Sequence, residues 1–275
     1  MNLDTGFWVV TFAFIFAFGA AIGSFINVVV YRLPEQLSLL HPPSRCPQCL
    51  HPLGKRENIP VIGWLWLRGR CRHCSAAISP RYPLVEAATG LLFLAVFWRF
   101  GMTGDTVGGW VLLSWLLALS LIDWDTLTLP HALTQSGVVL GLIFTTLMGG
   151  WQSQTSSGWI LGFMEGIGGA VLGMWLLEAI ALVGTLILGK TAMGAGDAKL
   201  AAMMGAWLGW QSFLVAGFLA CLLGSLIGTG AIALGLHNRQ QPMPFGPFLA
   251  WGCAIAFFWG EIILATYLDL FFPTV

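Results

Sequence analysis

Charge is what this chain has least of. Of 275 residues, 12 are Lys or Arg and 12 are Asp or Glu, so 9% is charged, against roughly 25% in a soluble domain. The hydrophobic share is 57% and the mean hydropathy is +0.82. So few charges cannot cover the surface of a soluble protein this size. That excludes an ordinary cytosolic enzyme, a secreted disulfide scaffold and a nucleic-acid binder with a basic face. Zero net charge excludes little, because in a membrane the placement of charge matters more than its sum. Other absences narrow the chemistry. There is no His-Glu-x-x-His helix of a zinc protease, no Rossmann fingerprint, no serine constellation, no tandem repeat and no low-complexity tract.

What is present is a series of apolar runs. A helix needs about 20 apolar residues to cross the hydrocarbon core. Such runs fall at Phe7–Val30, Leu84–Phe100, Thr106–Ile122, Ala132–Gly149, Trp159–Leu188, Phe213–Leu236 and Phe248–Leu268, with a shorter one at Ala198–Trp210. No cation precedes the first run and no Ala-x-Ala site follows it, so it reads as a retained helix and not a signal peptide. The expected fold is an all-α polytopic membrane protein of about eight transmembrane segments. It divides into a first helix over 1–33, a cytoplasmic tetracysteine zinc domain over 34–83 and a membrane-embedded core over 84–275. With the first N-terminus outside, Arg32, Arg45, Lys55, Arg56, Arg68, Arg70, Arg72, Arg81, Lys190, Lys199 and Arg239 all fall on the cytoplasmic side, and Arg99 alone falls opposite.

Between Tyr31 and Pro83 the character changes: Pro and charge are dense, and long apolar runs are absent. Cys46-Pro-Gln-Cys49 and Cys71-Arg-His-Cys74 stand here, with 21 residues between the pairs. Two such knuckles supply the four thiolates that Zn²⁺ takes in a structural site, with no position left open for catalysis. Two disulfides are the bland alternative, disfavoured in a reducing compartment, and a catalytic redox pair is a further one. His41, His51 and His73 lie nearby. Cys221 and Cys253, in apolar runs, read as small buried hydrophobes.

An acid within or beside a membrane helix is costly and therefore a functional hypothesis. Glu178 lies nearest the middle of a run, and Glu86, Glu165 and Glu261 lie in or near others. Two places are more specific. Asp123 directly follows an apolar run, and Asp125 lies about 200° around the same helix, so at most one faces the bundle. Interfacial carboxylates ending a helix before Pro130 are the plain alternative. Gly194-Ala195-Gly196-Asp197 then opens another helix, with Lys199 close behind; an ordinary Asp cap after a glycine turn would look the same. Both aspartates fall at one membrane depth on one side. Two adjacent carboxylates sharing a proton could activate water against a peptide carbonyl and protonate the leaving amine.

In family order, the chain carries Gly23-Ser24-Phe25-Ile26-Asn27 through Arg32-Leu33-Pro34, the two Cys pairs, Glu57-Asn58-Ile59-Pro60, Arg81-Tyr82-Pro83-Leu84-Val85-Glu86, Leu121-Ile122-Asp123, Gly194-x-Gly196-Asp197 with Lys199-Leu200, and Pro244-Phe245-Gly246-Pro247. Jointly these resemble the type IV prepilin peptidases. The resemblance implies a membrane aspartic endopeptidase of the Gly-x-Gly-Asp type in the bacterial inner membrane, with Asp123 and Asp197 as its catalytic pair and Gly194, Gly196 and Lys199 in support. It implies prepilin or pseudopilin substrates of a type IV pilus or type II secretion machine, whose basic leader is cut on the cytoplasmic side. It further implies N-methylation of the new terminus with S-adenosylmethionine as methyl donor; Gly69 and Arg70 are candidates for that half by position. Membrane lipid is the expected surround and nucleic acid is not an expected partner. One departure is Leu129-Pro130-His131, where the family commonly has Leu-Pro-Asp. The competing class is a proton-coupled transporter with an intramembrane Asp pair; no paired half-sequences support it, and the acids gather at one edge.

Overall fold

The computed structural model describes residues 3–189, 193–236 and 243–272; Lys190 and Arg239, used above for orientation, lie outside them. Among the described residues there are eight α-helices and no strand: α1 Leu3–Arg32, α2 Ile62–Trp66, α3 Arg81–Phe100, α4 Gly104–Thr126, α5 His131–Ser153, α6 Ser156–Leu188, α7 Ala195–Ala233 and α8 Gly246–Phe271. Seven of them are long and apolar enough to cross a membrane. This is the expected all-helical, multi-pass membrane architecture. A helix satisfies its backbone N–H and C=O groups within itself, which is what lipid demands of a spanning segment. The surface agrees: Trp98, Ile187 and Leu186 are 81%, 77% and 75% exposed, which only an apolar surround makes cheap.

Two runs expected as separate segments share α7. They meet at Gly209, whose φ of 71° and ψ of 172° lie outside any helical region and suit only glycine. The neighbours of each half show what happens there. Gly169 and Gly173 of α6 close onto Gly205 and Ala201, antiparallel to the first half. Gly260, Gly252 and Phe248 of α8 meet Ser212, Ala220 and Gly224, antiparallel to the second half. The start of α8 lies against Asp123, which in turn lies near Asp197 at the start of α7. The start of α7 therefore sits level with its stretch near Gly224, and the chain doubles back at Gly209. The short run is thus a half-length helix of its own.

The chain forms two compact units, Met1–Ser114 and Trp115–Val275. In the first, α1 and α3 pack antiparallel. A Cβ added at Gly19 would stand 2.9 Å from Gly90 Cα, so the backbones touch, the small-residue contact that drives helix association in lipid. Phe93 stacks on Trp110 with ring centroids 5.1 Å apart, and the Trp110 indole donates to the Phe93 carbonyl. In the second, α5, α6 and α7 close on one another: a Cβ at Gly205 would clash with the Gly169 carbonyl oxygen. The Trp207 indole donates to the Gly137 carbonyl at 2.8 Å, tying α7 to α5. Of the two Cys expected inside, Cys253 is buried but Cys221 is exposed, because its side of α7 faces away from α8 and lipid accepts a thiol.

Candidate active site

Asp123 lies in the last turn of α4, where Leu116, Leu119 and Ile122 are buried at 0–2% exposure. It continues that buried stripe and is itself buried, whereas Asp125 is exposed. The helical period separates the two acids as expected. Asp123 Oδ2 accepts the Gly246 N–H at 2.9 Å. That donor belongs to the first turn of α8, where N–H groups have no intrahelical partner and the helix end carries partial positive charge. Pro247, next in the chain, fits this first turn because it needs no donor there. The approach is tight: a Cβ at position 246 would stand 2.6 Å from the carboxylate oxygen.

Asp197 lies in the first turn of α7, after the extended Gly194 (φ −75°, ψ 145°), and its N–H donates to the Gly194 carbonyl at 3.2 Å. It too is buried, and it stands close enough to Asp123 for the two charges to interact. Gly196 abuts Leu129, so the α4–α5 connection rests on the glycine turn. Lys199 is half-buried and Gly194 exposed. His131, at the start of α5, is exposed. Glu178, which looks central along its run, stands level with Gly196, because Gly173 of the same helix meets Ala201; it faces outward.

The four cysteines form a second cluster, in the loop. Each knuckle uses one backbone plan. Cys46 N–H donates to His51 O and Leu50 N–H to Cys46 O; Cys71 N–H donates to Ala76 O and Ser75 N–H to Cys71 O. Leu50 and Ser75, each following its second Cys, take φ of 57° and 58°. The sulfurs lie within 4.8 Å of one another, with Cys46–Cys74 at 3.7 Å and Cys49–Cys71 at 3.9 Å. All are free thiols. Tetrahedral Zn–S bonds of 2.3 Å would place sulfurs roughly 3.8 Å apart, so the set has the right size for that ion. Backbone N–H groups of Cys49 and Gln48 pull the Cys46 thiol down to about 6, whereas at Cys49 the lowering by the His51 N–H is outweighed by burial and the neighbouring thiols, which push it up to about 11. Glu57 is held below the usual carboxylate range by the Gly54 N–H and then by Arg72, 3.6 Å away.

Comparison with known proteins decides the family. Residues 17–100 match the model of the bacterial peptidase A24 N-terminal domain, and residues 110–229 match that of the type IV leader peptidase family. The chain belongs to the type IV leader peptidase family. It is accordingly an enzyme, a membrane-embedded leader peptidase. Curated relatives include a prepilin leader peptidase/N-methyltransferase of Aeromonas hydrophila, 41% identical with 94% of each chain covered, and one of Pseudomonas aeruginosa, 40% identical with 91% of each covered. A further relative of the same name, from Pectobacterium carotovorum, is 40% identical over 85% of this chain and 88% of its own. No solved structure matches.

In this leader peptidase the hold of Gly246 on Asp123 is not legible from the sequence. Pro244-Phe245-Gly246-Pro247 is visible there only as a motif. The available signal was a glycine directly before a helix-starting proline, in a chain with a buried acid to hold. Of the two loop residues singled out by position, Gly69 takes φ 67° beneath the Trp64 ring and Arg70 is exposed.

Proposed function

We propose that the chain cleaves the basic leader from prepilins or pseudopilins at the cytoplasmic face of the bacterial inner membrane, with Asp123 and Asp197 as the catalytic pair. The observation that carries this reading is the convergence of two buried aspartates at the ends of α4 and α7, in a chain with few acids. One proton shared between the carboxyls leaves one as acid and one as base. The base takes a proton from water as its oxygen attacks the scissile carbonyl, and the acid protonates the departing amine. The Gly246 N–H bond fixes the Asp123 carboxylate, and the glycine turn leaves room for substrate backbone beside Asp197. The apolar helix of the substrate lies in the bilayer, which presents its scissile bond at the depth of the pair.

Zn²⁺ bound by Cys46, Cys49, Cys71 and Cys74 would complete its shell with four thiolates and so order the loop without entering the chemistry. N-methylation of the new terminus is proposed because the relatives are prepilin leader peptidase/N-methyltransferases. A cleft in the first unit, lined by Ala21, Ser24, Phe25, Val28, Ser44, Asn58 and Pro60, has no charged lining group for the carboxylate and sulfonium of S-adenosylmethionine, and so does not by itself form a site for it.

The test is to incubate the purified protein in detergent with a prepilin and follow leader loss. Asp123→Asn and Asp197→Asn should each cut cleavage by about 10²-fold or more while leaving the protein folded; near-parent activity in either variant would refute the pair. Mass spectrometry of the product with and without S-adenosylmethionine reads out methylation separately.

A further inference from the structure

The loop is not wholly a water-facing domain. Ile59-Pro60-Val61-Ile62-Gly63-Trp64-Leu65-Trp66-Leu67 is an uninterrupted apolar run inside it, and its centre forms α2. Two independent contacts place this run at membrane depth. First, the Val61 N–H donates to Glu86 Oε2 at 2.7 Å, and Glu86 is the sixth residue of α3. That helix has 20 residues, about 30 Å, so it spans the hydrocarbon core with nothing to spare. Helical side chains lean toward the N-terminus, so Val61 stands beside the first turn of the span. Second, Asn58 and Pro60 share a cleft with Ala21, Ser24, Phe25 and Val28 of α1. The Asn27 amide donates to the Tyr82 carbonyl and Gly23 meets Glu86, so those α1 residues run alongside the first turns of α3.

At that depth α2 has two faces. Gly63 packs on the Glu57 carbonyl, and Trp64 donates from its indole to the Ile78 carbonyl, both inward. Ile62, Leu65 and Trp66, at positions i, i+3 and i+4, are 58%, 60% and 68% exposed on the outer face. Arg68 and Arg70 follow at once and are exposed. An apolar face with a Trp, bordered by cations, is the composition that lies in the headgroup–acyl boundary of an anionic membrane.

We propose that α2 is an interfacial anchor, with Ile62, Leu65 and Trp66 inserted among acyl chains and Arg68 and Arg70 on anionic headgroups. The loop is then pinned to the membrane at its middle as well as at its two ends.

The experiment places a benzophenone amino acid at 62, 65, 66 and, as an exposed polar control, at Lys55, in the full chain. The protein is reconstituted in nanodiscs of phosphatidylethanolamine and phosphatidylglycerol and irradiated. Lipid adducts several-fold above the Lys55 level are expected at all three positions. Arg68→Glu with Arg70→Glu should cut the phosphatidylglycerol share several-fold. Adducts at or below the control level would overturn the anchor. So would capture of added prepilin in place of lipid, since that would make the face a substrate surface. Cysteine-bound metal, measured on each variant, separates a misfolded loop from a face that lies in water.

Discussion

The loop between α1 and α3 and the helical unit from Trp115 onward hold their shape by opposite means. The loop is built from turns, short backbone bonds and four thiols, with a five-residue helix as its only regular element. The second unit is built from backbones in contact at glycines, as at Gly169 and Gly205. In lipid there is no hydrophobic drive between helices, so close packing must supply the association. A segment of this length buries too little apolar surface to order itself, and a metal on the four thiols would replace the missing core. Each region should therefore fail by its own route.

The largest effect expected is on the loop. Structural zinc contributes apparent binding free energies of about 10–16 kcal/mol in small domains. Cys46→Ser should therefore abolish stoichiometric zinc and remove hydrogen-exchange protection from the knuckles, while far-ultraviolet helix content stays near the parent level. Loss of the whole helical signal would show that the two regions are not independent.

Next is the aspartate pair. Removing either carboxylate should lower the cleavage rate by about 10²–10⁴-fold, with zinc content unchanged, as read by leader loss and metal analysis on the same preparation. A smaller effect belongs to Gly246→Ala. Its Cβ would press to within 2.6 Å of the Asp123 oxygen, and displacement of about an ångström at a reacting group costs up to about 10²-fold. Cleavage should fall by about 10–100-fold without loss of zinc or of membrane insertion.

The smallest is a pH effect on the loop. The folded Glu57 carboxyl is held below its ordinary value by the Gly54 N–H and Arg72. Its stabilisation is therefore fully present above the unfolded value of about 4.3 and is lost as pH falls through the lower folded value. Glu57→Gln should lessen the fall of loop protection below pH 4.5 and leave protection at pH 7 slightly weaker. An unchanged acid profile would place the acid sensitivity on the thiols instead.

Much of this was legible in sequence for identifiable reasons. Membrane helices announce themselves by composition over about 20 residues, and six runs became α1, α3, α4, α5, α6 and α8 with ends shifted by a few residues. The knuckles were legible because ligand spacing is local. Asp123 separated from Asp125 because helical period decides which acid turns inward. The Ile59–Leu67 run was not legible as a membrane element. It is too short to span, and only the Val61–Glu86 bond and the cleft on α1 reveal its depth. Glu178 was misplaced for a related reason: position along an apolar run is not depth when the helix is 33 residues long and its partners fix where it sits.

The sequence alone determined the class, the family resemblance and the residue types that carry chemistry, because each of these depends on composition or short-range spacing. The tertiary structure alone decided that the chain doubles back at Gly209 and that Asp123 and Asp197 lie near one another. It likewise decided that a glycine N–H on a third helix holds one of them. Contacts between residues far apart in the chain are set by helix packing, and packing is a property of whole surfaces that no single motif encodes.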